Sequence, residues 1–205
     1  MNYLLIDTAN MFFRARHVAF RASDPWEKVG YALHITLSAI NKVARKFQAD
    51  HVVFALEGRS WRKDYYEPYK RQRSEARAAL SPREAEEDKV FWETFDQFKD
   101  FVINRTNSTV LHHPQLEADD LIATLAKSAE KEGFQTLICT GDRDAFQLIN
   151  ESTTVLYPKK GVADLARMTP EAVVEKYGLT PKQYPDRSEE HTSELQSHHD
   201  LVCRL

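Results

Sequence analysis

Soft-metal chemistry and disulfide frameworks have little to work with in this 205-residue chain. It contains two cysteines, Cys139 inside an apolar run and Cys203 near the C-terminus. That usage suits a reducing compartment and offers no zinc-type spacing. Long hydrophobic runs are also missing: none approaches the roughly 20 residues that a membrane span needs. The apolar start at Tyr3 to Ile6 is cut by Asp7, which excludes a signal peptide. A cytoplasmic monomer with no membrane partner is therefore expected. Excess positive charge is absent as well, since the formal net charge is −3, so no basic coat covers the whole surface.

What is present is enough apolar sequence for one substantial core, and the length is too short for two comfortable domains. Runs 2–6, 51–56, 136–140 and 153–157, rich in Leu, Ile, Val and Thr, predict buried strands, with a further strand around Asn107 to His112. Helical patterns separate them. Val29, Leu33, Leu37, Ile40, Val43, Ala44 and Phe47 recur at steps of three and four. Ser81, Pro82 and Glu84 spell a helix start ahead of Phe91, Phe95, Phe98 and Val102. A third helix begins near Glu117, carries Leu121, Ile122, Leu125 and Ala129, and ends at Gly133. Alternating strand and helix predicts an α/β fold, a mostly parallel sheet with helices on both faces.

Charge is unevenly placed along the chain. From Arg59 to Arg77 seven basic residues (Arg59, Arg62, Lys63, Lys70, Arg71, Arg73, Arg77) face three acids (Asp64, Glu67, Glu75), a local charge of +4. Trp61, Tyr65, Tyr66 and Tyr69 are interleaved. Such a mixture neutralises phosphates and stacks on unpaired bases, although a solvated surface loop has the same composition.

Acidic residues follow the strand ends. In an open parallel sheet the loops beyond the C-terminal strand ends share one edge. Asp7 ends the first strand and Glu57 the second; Glu117, Asp119 and Asp120 follow the third, and Asp142 and Asp144 the fourth. Singly, each group has an ordinary role at a helix N-terminus or a turn. Seven carboxylates in one crevice repel one another and must be protonated, dispersed or neutralised by cations. With no His or Cys cluster among them, the all-oxygen donor set points to Mg²⁺ or Mn²⁺. The matching chemistry is phosphodiester cleavage, in which two ions roughly 4 Å apart activate water and stabilise the leaving oxygen. Lys70 and Arg73, three apart, are expected on one helical face, gripping the phosphate.

Four motifs resemble the 5′→3′ exonuclease and flap endonuclease family, which includes bacteriophage 5′ nucleases and the N-terminal nuclease domain of bacterial DNA polymerase I. They are Leu5-Ile6-Asp7-Thr8-Ala9-Asn10, Trp61-Arg62-Lys63-Asp64 with Tyr69-Lys70-Arg71-Gln72-Arg73, Glu117-Ala118-Asp119-Asp120, and Thr140-Gly141-Asp142-Arg143-Asp144. They occur in order over residues 1–186, a specific signal that Glu-Ala-Asp-Asp alone would not be. The resemblance implies a PIN-like 5′ nuclease core acting on DNA with 5′ ends or flaps, in a bacterial cell or a phage-infected host, in replication and repair. It implies Asp7, Glu117, Asp119, Asp120, Asp142 and Asp144 as metal ligands, with Glu57 where the family has Asp. Lys70 and Arg73 become the catalytic pair at the foot of a helical arch spanning about 59–87. Tyr69 becomes a stacking partner of the terminal nucleotide, and Arg59, Arg62, Lys63 and Arg71 further DNA contacts.

The family continues with two more metal-binding Asp residues and a helical hairpin that grips duplex DNA, and nothing after Asp186 resembles them. Residues 187–197 instead resemble the in-frame translation of a sequencing-library adapter. Residues 187–205 are accordingly expected to be a read-through artefact, with the C-terminal helical DNA-binding region missing. On that expectation the complete enzyme holds two ions and this chain one, with impaired cleavage. The alternatives are a non-catalytic DNA-binding module and a PIN-type ribonuclease. The Tyr-Lys-Arg-Gln-Arg segment and the Asp119-Asp120 pair disfavour the ribonuclease. An aspartyl phosphatase needs Asp-x-Asp where this chain has Asp7-Thr8-Ala9.

Overall fold

The computed structural model describes residues 1–18, 24–160 and 164–186, so the adapter-like tail lies outside the described residues. Five strands, β1 (Asn2–Asp7), β2 (His51–Ala55), β3 (Thr109–Leu111), β4 (Gln135–Cys139) and β5 (Thr153–Lys160), pair in parallel. A sixth, β6 (Asp164–Met168), adds antiparallel to β5, giving the order β3-β2-β1-β4-β5-β6. The mostly parallel sheet matches the expectation. The antiparallel edge strand was not anticipated from the sequence.

Alternation along the strands sends successive side chains to opposite faces, so a sheet buried on both sides needs apolar residues at nearly every position. β1 shows this. Leu4 and Ile6 enter one core, with Phe54, Leu137 and Leu156, beneath α1 (Thr8–Val18), α2 (Pro25–Lys46) and α5 (Pro82–Arg105). Leu5 enters the other, with Val53, Ile138 and Val155, beneath α6 (Ala118–Lys131) and α7 (Pro170–Tyr177). Phe12, fully buried, fixes the first core by packing on Phe91 and Phe95 at ring-centroid distances of 4.8 and 5.4 Å. Burying one such side chain contributes about 1.5–3 kcal/mol.

The helix boundaries follow local chemistry. Asp24 caps α2 by accepting from the Glu27 amide at 2.9 Å, and Pro25 starts it with its φ preset. Ser81 and Glu84 form the expected capping box of α5. Gly133 takes the left-handed conformation (φ 74°) that closes the segment after α6. Between β2 and α5 lie two short helices, α3 (Arg62–Tyr65) and α4 (Arg71–Ala78), neither of which buries a residue. Lys70 and Arg73 do not share a helix as expected: Lys70 precedes α4 with φ 56°, and only Arg73 is helical.

Candidate active site

Strand register brings the acidic motifs to one edge. Asp7 lies opposite Ala55 on β2, and Ile6 lies opposite Cys139 on β4, so Asp7, Glu57 and Asp142 leave the sheet together. The chain after β2 then runs along the segment leading into α6. Gly58, Arg59 and Trp61 donate backbone hydrogen bonds to the carbonyls of Leu116, Pro114 and Gln115 at 2.8–2.9 Å. Only glycine fits at 58, because a Cβ there would sit 2.0 Å from the His113 carbonyl oxygen. This contact fixes the foot of the α3–α4 segment against the start of α6.

Asp7 is buried, and its Oδ2 accepts from the Thr140 hydroxyl at 2.7 Å while its Oδ1 accepts from the Asn10 amide at 3.2 Å. Burial nonetheless lifts its pKa to about 6, with Glu57 and Asp142 adding repulsion. Glu57 accepts from the Ala118 amide at 3.2 Å and is likewise raised, first by the crowding of protein around it, against the pull of Lys70 and Arg73. Asp119 is pushed furthest, to about 8, by desolvation and then by Asp7, Asp142 and Glu57. Asp144 is raised by desolvation and by Asp142, whose Oδ1 accepts from the Asp144 amide at 2.9 Å. These mutual effects couple the carboxylates electrostatically across four separate segments of the sequence.

The remaining two acids are matched with bases. Glu117 accepts from the Tyr69 hydroxyl at 2.7 Å, from the Lys70 ammonium, and from Arg62 Nη1 at 3.4 Å. Asp120 takes both Arg62 terminal nitrogens at 2.9 and 2.8 Å, which holds its carboxyl below the usual range. Among the described residues, no three of these carboxylates are close enough together to hold an ion as they stand. The donor chemistry still fits a hard divalent cation, since every group is a carboxylate and neither thiol nor imidazole accompanies them.

The basic residues divide by setting. Arg62 and Lys70 face the acids, and Arg73 is exposed yet near enough to lower Glu57. Arg59 is engaged by Asp64 and Arg71 by Glu75 at 2.8 Å, both on the surface, while Lys63 is exposed. Sequence reasoning gave no separate role to Thr140 and Asn10, which hold Asp7 and the Gly141 amide. It also missed Arg14, whose side chain lies where a Cβ at residue 141 would go, 2.6 Å away. Thr140, Gly141 and Asn10 were visible as motif members, but their role depends on bringing β1 and β4 side by side.

A two-sided, mostly parallel sheet whose C-terminal strand edge gathers coupled carboxylates beneath a basic, aromatic segment defines the class of α/β protein. Residues 2–178 match the model of the 5′-3′ exonuclease, N-terminal resolvase-like domain, and the chain belongs to that family. It is 65% identical over 85 residues to DNA polymerase I of Mycobacterium tuberculosis, covering 42% of this chain and 9% of that protein. With the thermostable DNA polymerase I of Thermus thermophilus the identity is 35% over 188 residues, 89% of this chain and 20% of that protein. The chain therefore spans a fifth or less of these curated relatives. In fold it is similar to T5 5′-exonuclease, solved with bound divalent metal ions (zinc), at a TM-score of 0.71 and 21% identity over 90% of this chain and 64% of that one.

Proposed function

We propose that residues 1–186 form the catalytic core of a structure-selective 5′ nuclease that hydrolyses phosphodiester bonds in DNA carrying 5′ ends or flaps. The observation that carries this reading is the gathering of Asp7, Glu57, Asp119 and Asp142 in one crevice, where burial first and mutual repulsion second raise Asp119 to about 8 and Asp7 to about 6. Family membership and the polymerase relatives support the substrate class.

Asp7, Glu57, Glu117, Asp119, Asp120, Asp142 and Asp144 are the residues that would hold Mg²⁺ or Mn²⁺. Bound there, such ions supply Lewis-acid activation of water and charge stabilisation at the leaving oxygen. The protein's own residues do the positioning. Thr140 and the Asn10 amide keep Asp7 aimed and biased toward its charged form against the desolvation of its site. Lys70 and Arg73 supply positive charge beside the scissile phosphate, worth most in a crevice from which water is excluded. Segment 59–87, with Arg59, Arg62, Lys63, Tyr69 and Arg71, serves as an arch over the entering strand: aromatic rings stack on its bases while cations neutralise its phosphates.

The test is Mg²⁺-dependent cleavage of a 5′-labelled flap substrate by the 205-residue chain and by Asp142→Asn. Cleavage that needs Mg²⁺ and disappears with Asp142→Asn supports the nuclease. Salt-sensitive flap binding that is independent of Mg²⁺, without cleavage, leaves a DNA-binding module, and preference for single-stranded RNA leaves a ribonuclease.

A further inference from the structure

The two halves of the acidic crevice are neutralised differently. Asp7 is met by the Thr140 hydroxyl and Glu57 by the Ala118 amide, both neutral donors, whereas Glu117 and Asp120 are covered by the cations of Lys70 and Arg62. The covering residues come from the α3–α4 segment, whose helices bury none of their own side chains, so between its backbone-bonded foot at residues 58–61 and the Arg77–Asp88 pair at its far end it is held mainly by these polar contacts. Lys70 reaches Glu117 from a left-handed backbone conformation, a cost of about 1–2 kcal/mol for a residue with a Cβ. Tyr69 adds its hydroxyl to the same Glu117 oxygen that Arg62 approaches.

We propose that Lys70 and Arg62 are stand-in cations: without a divalent ion they neutralise Glu117 and Asp120 and clasp the α3–α4 segment onto α6, and ion binding releases them. The inference rests on the metal-dependent reading above. It adds that loading the crevice and freeing the arch are one equilibrium, because Glu117 cannot give its oxygens fully to both a divalent ion and the Lys70 ammonium. Release presents Lys70 and Arg62 to the incoming phosphates only when the site is ready for them. By linkage, whatever loosens the clasp tightens ion binding by the same factor.

Trp61 reports on the clasp. Its backbone is tied to Gln115 by a 2.9 Å hydrogen bond, while its ring lies 5.1 Å from the Arg62 guanidinium. When Arg62 leaves, the ring loses a cation at its face without the backbone having to move. The experiment titrates Mg²⁺ into the 205-residue protein, following tryptophan fluorescence and, in parallel, ion binding by calorimetry. Trp61→Phe isolates the contribution of Trp61. The expected result is a fluorescence change that tracks the binding isotherm and is lost in Trp61→Phe. Arg62→Gln should abolish the change while ions still bind, and Arg62→Lys should restore part of it. Lys70→Gln should tighten the ion roughly tenfold, an ordinary size for coupling between sites.

Ion binding with an unaltered Trp61 signal overturns the clasp and leaves the metal site standing. No ion binding by calorimetry overturns both. If Arg62→Gln does not fold, Lys70→Gln carries the test: tighter binding together with a Trp61 response shifted to lower Mg²⁺ supports the clasp. Unchanged affinity, or tighter binding with no Trp61 response, overturns it.

Discussion

The Thr140 hydroxyl donates to Asp7 Oδ2 across 2.7 Å, joining residues 133 apart in sequence at the ends of two adjacent strands. Thr140 is fully buried and its oxygen also accepts the Asp142 amide at 3.0 Å, so one hydroxyl orients two of the acids. Thr140→Val keeps the shape and removes both bonds. The expected loss is about 1–3 kcal/mol of stability, because a buried carboxylate and an amide each lose a partner. Urea unfolding checks it, and Thr140→Ser should recover most of the loss.

How much of this was legible follows the range of the interaction. Asp7, Glu57 and Asp142 could be placed at one edge from sequence because a strand end is a local feature and the sheet supplies the rest. The Ser81–Glu84 box was legible for the same reason. The Arg62–Asp120 pair was not, since its partners are 58 residues apart and nothing local marks them. Strand β6 escaped because Asp164 and Arg167 break its apolar pattern. Helix α7 carried its signals openly in Thr169, Pro170 and Gly178, but eight residues are too few to show a stripe.

Two glycines make opposite predictions under the same substitution. Gly58→Ala drives a Cβ into the carbonyls of His113 and Leu116, at 2.0 and 2.6 Å, both of them backbone that cannot step aside. Gly30 lies within α2 with nothing within 4 Å of an added Cβ. Gly30→Ala should stabilise by about 0.5–1 kcal/mol, because alanine loses less backbone entropy in a helix. Gly58→Ala should destabilise by more than that, and it should also weaken ion binding by shifting Glu57 and α6 apart. Thermal unfolding of the two variants side by side decides the signs.

Stability in the presence of a chelator should fall as pH rises. Asp7 and Asp119 have folded pKa values of about 6 and about 8 against an ordinary 3.8. Between those limits the folded state holds protons that the unfolded state has released, so the slope of unfolding free energy with pH is negative. The penalty begins near pH 4, grows through pH 8 and then levels off. Melting temperatures in EDTA from pH 5 to 9 should decline, and Asp119→Asn should flatten the upper part of that decline. A rise over the same range would contradict the crowding assigned to the carboxylates.

Asp88 on α5 tethers the far end of the α3–α4 segment. Its Oδ1 accepts from Arg16 of α1 at 3.2 Å and its Oδ2 from Arg77 of α4 at 2.8 Å, while the Arg77 guanidinium lies 5.2 Å from the Trp92 ring. Because α4 buries no side chain of its own, this carboxylate supplies much of what holds its C-terminal end. Asp88→Asn weakens both bonds by removing the charge, at a cost to global stability of about 1 kcal/mol, since the Arg77 side chain is largely exposed. The sharper effect should be local. Trypsin should cut after Arg71, Arg73 and Arg77 faster than in the unaltered protein, by a larger factor than global destabilisation alone produces at sites in the sheet core. Equal acceleration everywhere would mean that Asp88 serves the whole fold and has no special hold on the α3–α4 segment.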